Sequence, residues 1–329
     1  MHIPDNYLSP QTCAVMTAAM VPVWVISIKK VRKDLSKQQV PMMGVGAAFS
    51  FLGMMFNVPL PGGTTGHAVG GTLIAALLGP YAACISVSVA LLLQALLFGD
   101  GGILSFGANC FNMAFVLPFV GYACCQSFCR LSKAQTPRGK ALCAALGSYV
   151  GINAAALCAA IEFGIQPALF HDAAGNALYC PYSLSVSLPA MMAGHLTVFG
   201  LAEAVFTGAI LAFVAKTSPE MQLQDTKTAK TGLPVTILLV VLILAVPLGL
   251  LAEGTAWGEW SIDEIAATGA GYTPAGMTSG IDFKALLPDY SMAGLPDAAG
   301  YILSAAIGAA ILIIVFKLLG SAGREAKTA

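Results

Sequence analysis

Long apolar segments separated by short polar ones run along almost the whole chain. Each is too continuously apolar for an amphipathic surface helix, and about 20 apolar residues are enough for a helix to cross the hydrocarbon layer of a bilayer. The pattern predicts an all-α, polytopic transmembrane helical bundle with about nine membrane segments. The predicted segments are 11–28, 41–57, 67–79, 81–99, 107–129, 141–162, 187–215, 233–251 and 299–319.

The positive charges are distributed unevenly between these segments. Of the 16 Lys and Arg residues, all except Lys284 lie at or after the end of the first, fifth, seventh or ninth segment. Short cytoplasmic loops of membrane proteins are enriched in Lys and Arg. With an odd number of crossings, this distribution predicts the N-terminus outside and the C-terminus in the cytoplasm.

The composition agrees with a membrane protein surrounded by lipid. Hydrophobic residues make up 57% of the 329 residues, charged residues make up 10%, and the mean hydropathy is +0.79, far from ordinary soluble domains. A formal net charge of zero argues against a nucleic-acid partner. The nine cysteines show no paired metal-site spacing, so we interpret them as small buried apolar residues. The chain opens without a basic stretch, so Met1 is the expected mature N-terminus.

A polar run at 216–232 divides the chain into two parts and is expected to be a cytoplasmic linker. Residues 1–215 form a predicted transmembrane core, and 233–329 form a smaller region with two spans. The outer loop of the smaller region, 252–298, carries seven acidic residues and one lysine. This loop is either a solvated extracytoplasmic loop or an entrance that concentrates cations.

The third segment, 67–79, is too short to span the membrane. Its 13 residues correspond to about 20 Å of helix, so irregular backbone is expected to complete the crossing. Such backbone is tolerated at membrane depth only where protein or a water-filled cavity surrounds it. We therefore expect residues 59–66 to dip inward and to line a site.

His2 follows the α-amine of Met1, and together these two residues supply three nitrogen atoms to a metal ion. The donors are the amine of Met1, the amide nitrogen of His2 after deprotonation, and Nδ1 of the His2 ring. They close a five-membered and a six-membered chelate ring in a flat arrangement. Tetragonal nitrogen ligation suits Ni(II) or Cu(II) better than Zn(II) or Mg(II), and one coordination position remains open.

His67 is the candidate for this fourth position. It lies in the stretch PGGTTGHAVGG at 61–71, where glycines let another backbone segment approach closely. Both histidines start on the outer side of the predicted topology. The alternative interpretation is that His67 is a packed histidine bonded to the backbone and that His2 is an ordinary terminal residue.

His195 and Glu203 lie inside the seventh segment, and ionisable residues at membrane depth are functional candidates. Their spacing of eight residues puts both on one helix face. They support an alternative function, a proton-coupled secondary metal-ion transporter, although a hydrogen bond between packed helices is the commoner role. The sequence contains no GxxxxGK[ST] motif and no nucleophile-and-base spacing, so neither a nucleotide site nor an enzyme is predicted.

Three stretches carry a family resemblance: MHIPDNYLSP at the start, PGGTTGHAVGG at 61–71 and FGANCFNMAFVLPFVGY at 106–122. Over about residues 1–215 the chain resembles the CbiM/NikM family, the substrate-binding (S) components of energy-coupling factor (ECF) transporters for cobalt and nickel. The metal ligands of that family correspond to the amine of Met1, the amide and ring nitrogens of His2, and His67. The resemblance implies capture of Ni2+ or Co2+ outside a bacterial cytoplasmic (inner) membrane and ATP-driven import, without a permanent cofactor.

The resemblance also implies partners. These are a transmembrane coupling (T) protein of the CbiQ/NikQ type and an ABC-type ATPase of the CbiO/NikO type, which hydrolyses the ATP. The region 233–329 resembles the accessory two-span protein of these systems, of the NikN/CbiN or PDGLE type. The chain departs from the family at Asn6, where glycine is usual; Asn tolerates positive φ well, so we expect the same turn. Nickel and cobalt both remain open, and flat ligation favours nickel mildly.

Overall fold

The computed structural model describes residues 1–37, 39–60, 64–218, 232–252 and 254–322. Over these residues, seven helices are long and apolar enough to cross a membrane, which confirms the predicted all-α membrane bundle. Most of the predicted linker at 216–232 lies outside the described residues. The seven helices are α1 (Pro10–Asp34), α4 (Pro80–Phe98), α5 (Phe106–Ser132), α6 (Pro137–Leu169), α7 (Leu184–Thr217), α8 (Leu233–Leu251) and α11 (Asp297–Ser321).

Shorter elements complete the fold. The predicted segments 41–57 and 67–79 correspond to a 16-residue helix and an eight-residue helix. Eight residues give about 12 Å of helix, so the third segment is short, as predicted, and the number of crossings stays a prediction. In chain order the shorter elements are α2 (Val40–Met55), β1 (Val58–Leu60), β2 (Thr64–Gly66), α3 (Gly71–Leu78), and the single-turn helices α9 (Ile262–Ile265) and α10 (Ala275–Thr278).

α2 lies at the centre of the bundle, because 14 of its 16 residues are buried. Gly44 lies so close to α11 that a side chain there would meet Phe316, and Gly46 lies against Ile74 of α3. Small residues let membrane helices pack with their backbones close together. The smaller C-terminal region is therefore packed directly on the core through α11.

α2 and α11 run antiparallel, which defines two ends of the bundle. Pro41 at the start of α2 lies beside Gly320, near the end of α11. At the other end, the backbone oxygen of Met55 accepts a hydrogen bond from the hydroxyl of Tyr301 over 3.1 Å. The start of α11 thus lies with the end of α2.

Basic residues near the end of α1 and near the start of α6 lie at the first of these ends. Lys30 and Lys140 line two cavities that both include Leu77, at the end of α3. The separation of charge along the bundle is the one that the positive-inside rule requires. The orientation of the bundle in the membrane stays a prediction.

α1 begins at a defined cap, which leaves the first residues outside the helix. Ser9 has an extended backbone, its Oγ accepts the N–H of Thr12 over 3.1 Å, and Pro10 occupies the first helical turn. This combination is a strong helix start. The N-terminal segment, residues 1–8, therefore leaves the axis of α1 and runs into the bundle.

Candidate metal centre

The N-terminal segment is buried inside the bundle. Met1, His2 and Ile3 expose 6%, 2% and 0% of their surfaces. The N–H of Ile3 donates to Oδ1 of Asn109 over 2.7 Å, and its carbonyl oxygen accepts Nδ2 of Asn109 over 3.0 Å and the N–H of Gly102 over 2.8 Å. These hydrogen bonds pair both the N–H and the carbonyl oxygen of Ile3, and they fix the position of this residue directly after His2.

The next turn contains the departure from the resembled family. The carboxylate of Asp5 accepts the N–H groups of Ile103 and Leu104 over 3.0 and 2.7 Å. Asn6 has φ 69°, the left-handed conformation that the sequence predicts for it. Its side chain exchanges two hydrogen bonds with the backbone of Ile281 in the 252–298 loop. Asn6 thus keeps the turn and also binds the C-terminal region.

The structure brings His2 and His67 together. Nδ1 of His2 lies 3.1 Å from Nε2 of His67, and the ring centroids are 4.9 Å apart. Both residues are buried, with 2% and 6% of their surfaces exposed. Oδ1 of Asp100 lies 3.2 Å from the same Nδ1. Two imidazoles and a carboxylate therefore meet at one buried point.

The α-ammonium of Met1 belongs to the same site. It forms an ion pair with Oε1 of Glu259 over 3.1 Å, and its side-chain surface is 1% exposed. Burial, and next the nearby ammonium charge, lower the pKa of His67 well below its usual value. His67 lies in the turn that precedes α3, and the neutral form of an imidazole is the one that ligates metals.

Glu203 of α7 holds the turn that carries His67. Its buried carboxylate accepts the N–H of Val69 over 2.6 Å and the N–H of Gly70 over 3.0 Å. Gly70 has φ 72°, so the turn needs a residue that adopts the left-handed conformation. On the other side, β2 ends at Gly66, which lies against the ring of Phe199.

His195 occupies a different position from Glu203. Its Nδ1 lies 2.8 Å from the carbonyl oxygen of Met191, one turn earlier in α7, and its ring packs edge-on against Phe199 at 5.2 Å. Glu203 bonds instead to the backbone beyond His67. The two residues that suggested proton transport therefore have separate hydrogen-bond partners.

The 252–298 loop packs on the part of the core that surrounds the site. The N–H of Trp257 donates to Oγ1 of Thr64 over 2.9 Å, and the hydroxyl of Tyr7 donates to the carbonyl of Trp260. Tyr182 packs against both tryptophan rings. This part of the loop is thus packed on the core rather than freely solvated.

Side chains alone do not complete a metal site in the described residues. No group of three or more His, Cys, Asp or Glu residues there is arranged to hold a metal ion. A complete donor set at His2 and His67 would need nitrogen atoms from the chain terminus. Five residues that contact this region had no predicted role in metal binding: Asp100, Asn109, Glu203, Glu259 and Tyr290.

Among these, Glu203 had been noticed, but only as a candidate proton carrier. Asn109 lies within the stretch FGANCFNMAFVLPFVGY. This stretch is one of the three that carry the family resemblance, so the sequence pointed to the region of Asn109. Asp100, Glu259 and Tyr290 had no signal of their own, because their partners are distant in sequence.

Comparison with known proteins gives a consistent result. Residues 2–221 match the family described as the cobalt uptake substrate-specific transmembrane region (CbiM), and residues 231–325 match the PDGLE domain. A probable fused nickel transport protein LarMN of Lactiplantibacillus plantarum is 50% identical over 96% of this chain and 97% of that protein. The fused nickel transport protein NikMN of Rhodobacter capsulatus is 46% identical over 100% of this chain and 99% of that protein.

A solved structure is also similar. The crystal structure of a truncated transition metal transporter superimposes with a TM-score of 0.62 and 59% sequence identity, covering 66% of this chain and 99% of that one. The resemblance stated from the sequence, including its PDGLE-type C-terminal region, is confirmed. The chain is a multi-pass membrane protein that belongs to the CbiM family of cobalt uptake substrate-specific transmembrane regions and carries a C-terminal PDGLE domain.

Proposed function

We propose that this chain captures Ni2+ or Co2+ outside the cytoplasmic membrane and mediates its import as the substrate-specific component of an ATP-driven ECF transporter. The ligands are the amine of Met1, the amide and ring nitrogens of His2, and the ring of His67. The observation that carries the proposal is the buried pair of His2 Nδ1 and His67 Nε2, 3.1 Å apart.

This separation suits two neighbouring donors of one ion. At a metal–nitrogen distance of about 2.0 Å, two ligands at a right angle lie about 2.8 Å apart. The amine, amide and Nδ1 of the first two residues occupy three consecutive corners of a square, so the open corner is next to Nδ1. Binding needs a contraction of about 0.3 Å between the rings.

Nickel is the favoured ion of the two. Four nitrogen atoms in a plane suit Ni(II), whereas a site with oxygen donors would suit harder ions. Two similar proteins named above are nickel transport proteins, which supports the same choice here. Co2+ is a competing substrate in the experiments below.

The proposed division of labour follows the chain. Residues 1–215 are the metal-binding core, 216–232 are a cytoplasmic linker, and 233–329 are the accessory two-span region. In this proposal a separate protein hydrolyses the ATP that drives import, since the sequence of this chain has no P-loop. The proposed partners are a coupling protein of the CbiQ/NikQ type and an ATPase of the CbiO/NikO type.

The test is titration of purified, metal-free protein with Ni(II) and Co(II). We compare the wild type, His67→Ala, and a chain with one extra residue before Met1, which moves the amine away from the His2 chelate. Both changes should weaken Ni(II) binding by at least about 100-fold, because each removes a donor or the chelate ring that contains it.

His171→Ala is the matched control, since His171 is exposed in the loop between α6 and α7, and its affinity should equal that of the wild type. Wild-type affinity in His67→Ala would contradict the proposed ligand set.

A further inference from the structure

The C-terminal PDGLE region contacts the proposed metal centre at two separate points. The first is Glu259, whose carboxylate forms the ion pair with the α-ammonium of Met1 over 3.1 Å. The side chain of Glu259 is 23% exposed, whereas the side chain of Met1 is 1% exposed and the whole residue is 6% exposed. The terminal nitrogen is thus held by a residue that the CbiM core does not contain.

The second point is Tyr290. Its hydroxyl donates a hydrogen bond to Oδ2 of Asp100, which also accepts Nε2 of Gln94 over 3.1 Å. The other oxygen of the same carboxylate lies 3.2 Å from Nδ1 of His2. A chain of two contacts therefore connects the PDGLE region to the ring of His2.

Tyr290 is placed with a defined geometry. It is 7% exposed and stacks on Phe98 at 4.6 Å between centroids. Its φ of 59° is uncommon for a residue with a large side chain, so surrounding contacts must hold it there. Burial, followed by the charge of Asp100, raises the pKa of Tyr290 well above its usual value, and the hydroxyl stays protonated as a donor.

The segment around Glu259 is held equally well. Trp257 and Trp260 flank it and both pack on Tyr182. Directly after it, Ser261 and Glu264 form a capping box at the start of α9, which fixes the backbone direction. Glu259 is therefore presented to the amine by a rigid loop.

We propose that Glu259 and Tyr290 are positioning residues of the metal centre in its metal-free state: Glu259 seats the terminal amine, and Tyr290, through Asp100, holds the ring of His2 until Nδ1 exchanges its contact with Asp100 for the ion. This inference rests on the proposed function, in which the amine and Nδ1 of His2 are ligands. Its physical basis is preorganisation. A chain terminus is mobile unless it is held, and ordering it during binding costs affinity.

The first experiment measures the amine without any metal. Metal-free full-length protein is treated with an amine-acylating reagent near neutral pH, and acylation of Met1 is followed by mass spectrometry of the N-terminal peptide. Glu259→Ala should increase the rate by about tenfold, because the amine leaves its buried position. Glu259→Gln keeps an oxygen that accepts an N–H and should give an intermediate rate.

Asp263→Ala is the matched control for this measurement. Asp263 is exposed and lies four positions from Glu259 in the same loop. The substitution removes the same charge without touching the site, so acylation of Met1 should proceed at the wild-type rate. Equal rates in the wild type and Glu259→Ala would overturn the role of Glu259.

The second experiment measures Ni(II) affinity in Glu259→Ala and Tyr290→Phe. Each should bind about tenfold more weakly, because the group that Glu259 or Tyr290 holds in the metal-free protein must then be ordered during binding. The visible absorption spectrum of bound Ni(II) should remain that of the wild type, because the ligands are unchanged. A loss of affinity caused by misfolding would alter this spectrum, and that result would count against positioning.

Tyr272→Phe is the control for Tyr290→Phe, since the hydroxyl of Tyr272 accepts the N–H of Ala177 in the loop between α6 and α7. Wild-type affinity in both Glu259→Ala and Tyr290→Phe, together with a large loss in His67→Ala, overturns this inference alone. Wild-type affinity in His67→Ala overturns the proposed function itself. The two failures are therefore distinguishable.

Discussion

His67 receives its position from the backbone around it, and Glu203 is the side chain that holds that backbone. The carboxylate accepts hydrogen bonds from the N–H groups of Val69 and Gly70. These two residues lie between the end of β2 and the start of α3. Buried N–H groups without an acceptor cost about 1–3 kcal/mol each. A single residue on α7 thereby decides where an imidazole on another segment lies.

Replacement of Glu203 tests this role. Glu203→Ala should lower Ni(II) affinity by about tenfold or more and destabilise the protein by about 1–3 kcal/mol, whereas Glu203→Gln keeps an acceptor and should bind nearly as the wild type. Titration and thermal unfolding in detergent measure both effects, with the exposed Val205→Ala as the control. If Glu203→Gln bound normally but lost uptake in a reconstituted transporter, proton transport through Glu203 would be favoured instead.

The number of protons released when Ni(II) binds shows how many donor atoms must lose a proton to ligate the ion. The ammonium of Met1, paired with Glu259, and the His2 amide must each lose a proton to ligate. Binding of one Ni(II) at pH 7 should release about two protons, and affinity should rise with pH. Calorimetry in buffers of different ionisation enthalpy counts them; release of about one proton would mean that the amide stays protonated.

The N-terminal segment and the 252–298 loop pack closely against each other at Asn6 and Gly280. A Cβ at Gly280 would collide with the side chain of Asn6, whose amide exchanges two hydrogen bonds with Ile281. The turn at Asn6 and the loop therefore fit each other through the absence of one side chain. This pairing explains why Asn stands where the resembled family usually has Gly.

Gly280→Ala should consequently lower stability by about 1–3 kcal/mol and weaken Ni(II) binding, because Asn6 must move. The double variant Asn6→Gly/Gly280→Ala should recover part of the loss, since glycine also tolerates the positive φ and removes the colliding atoms. Thermal unfolding of the single and double variants gives the coupling. Strictly additive effects would show that the two positions do not interact.

The long helices and the short third segment followed from the run of apolar residues and the length of 67–79. The turn at Asn6 followed from the conformational tolerance of Asn. Glu259 could not be selected in this way, because it is one of several acidic residues in a polar loop and its partner is 258 positions away. Tyr290 has no pattern either, since aromatic residues are common at membrane interfaces and its bond to Asp100 exists only after packing.

At the scale of the whole molecule, the source of energy for metal uptake distinguishes the proposed function from the proton-coupled alternative. In proteoliposomes, we expect uptake of radioactive nickel only when the chain is joined by the proposed coupling protein and the proposed ATPase and ATP is present on the cytoplasmic side. The chain alone should bind nickel without accumulating it, with or without a pH gradient. Accumulation by the chain alone, abolished by an uncoupler, would support the proton-coupled alternative.

The ion pair between Met1 and Glu259 also has a consequence for the order in which the protein is made. The two groups are 258 positions apart, so at 5–20 residues per second the ribosome adds Glu259 about 13–50 s after Met1. For most of that interval, once residue 67 has been added, the nascent chain contains both histidines but not Glu259. The ion pair therefore forms late in biogenesis, and a chain that stops before Glu259 lacks this partner for the Met1 amine.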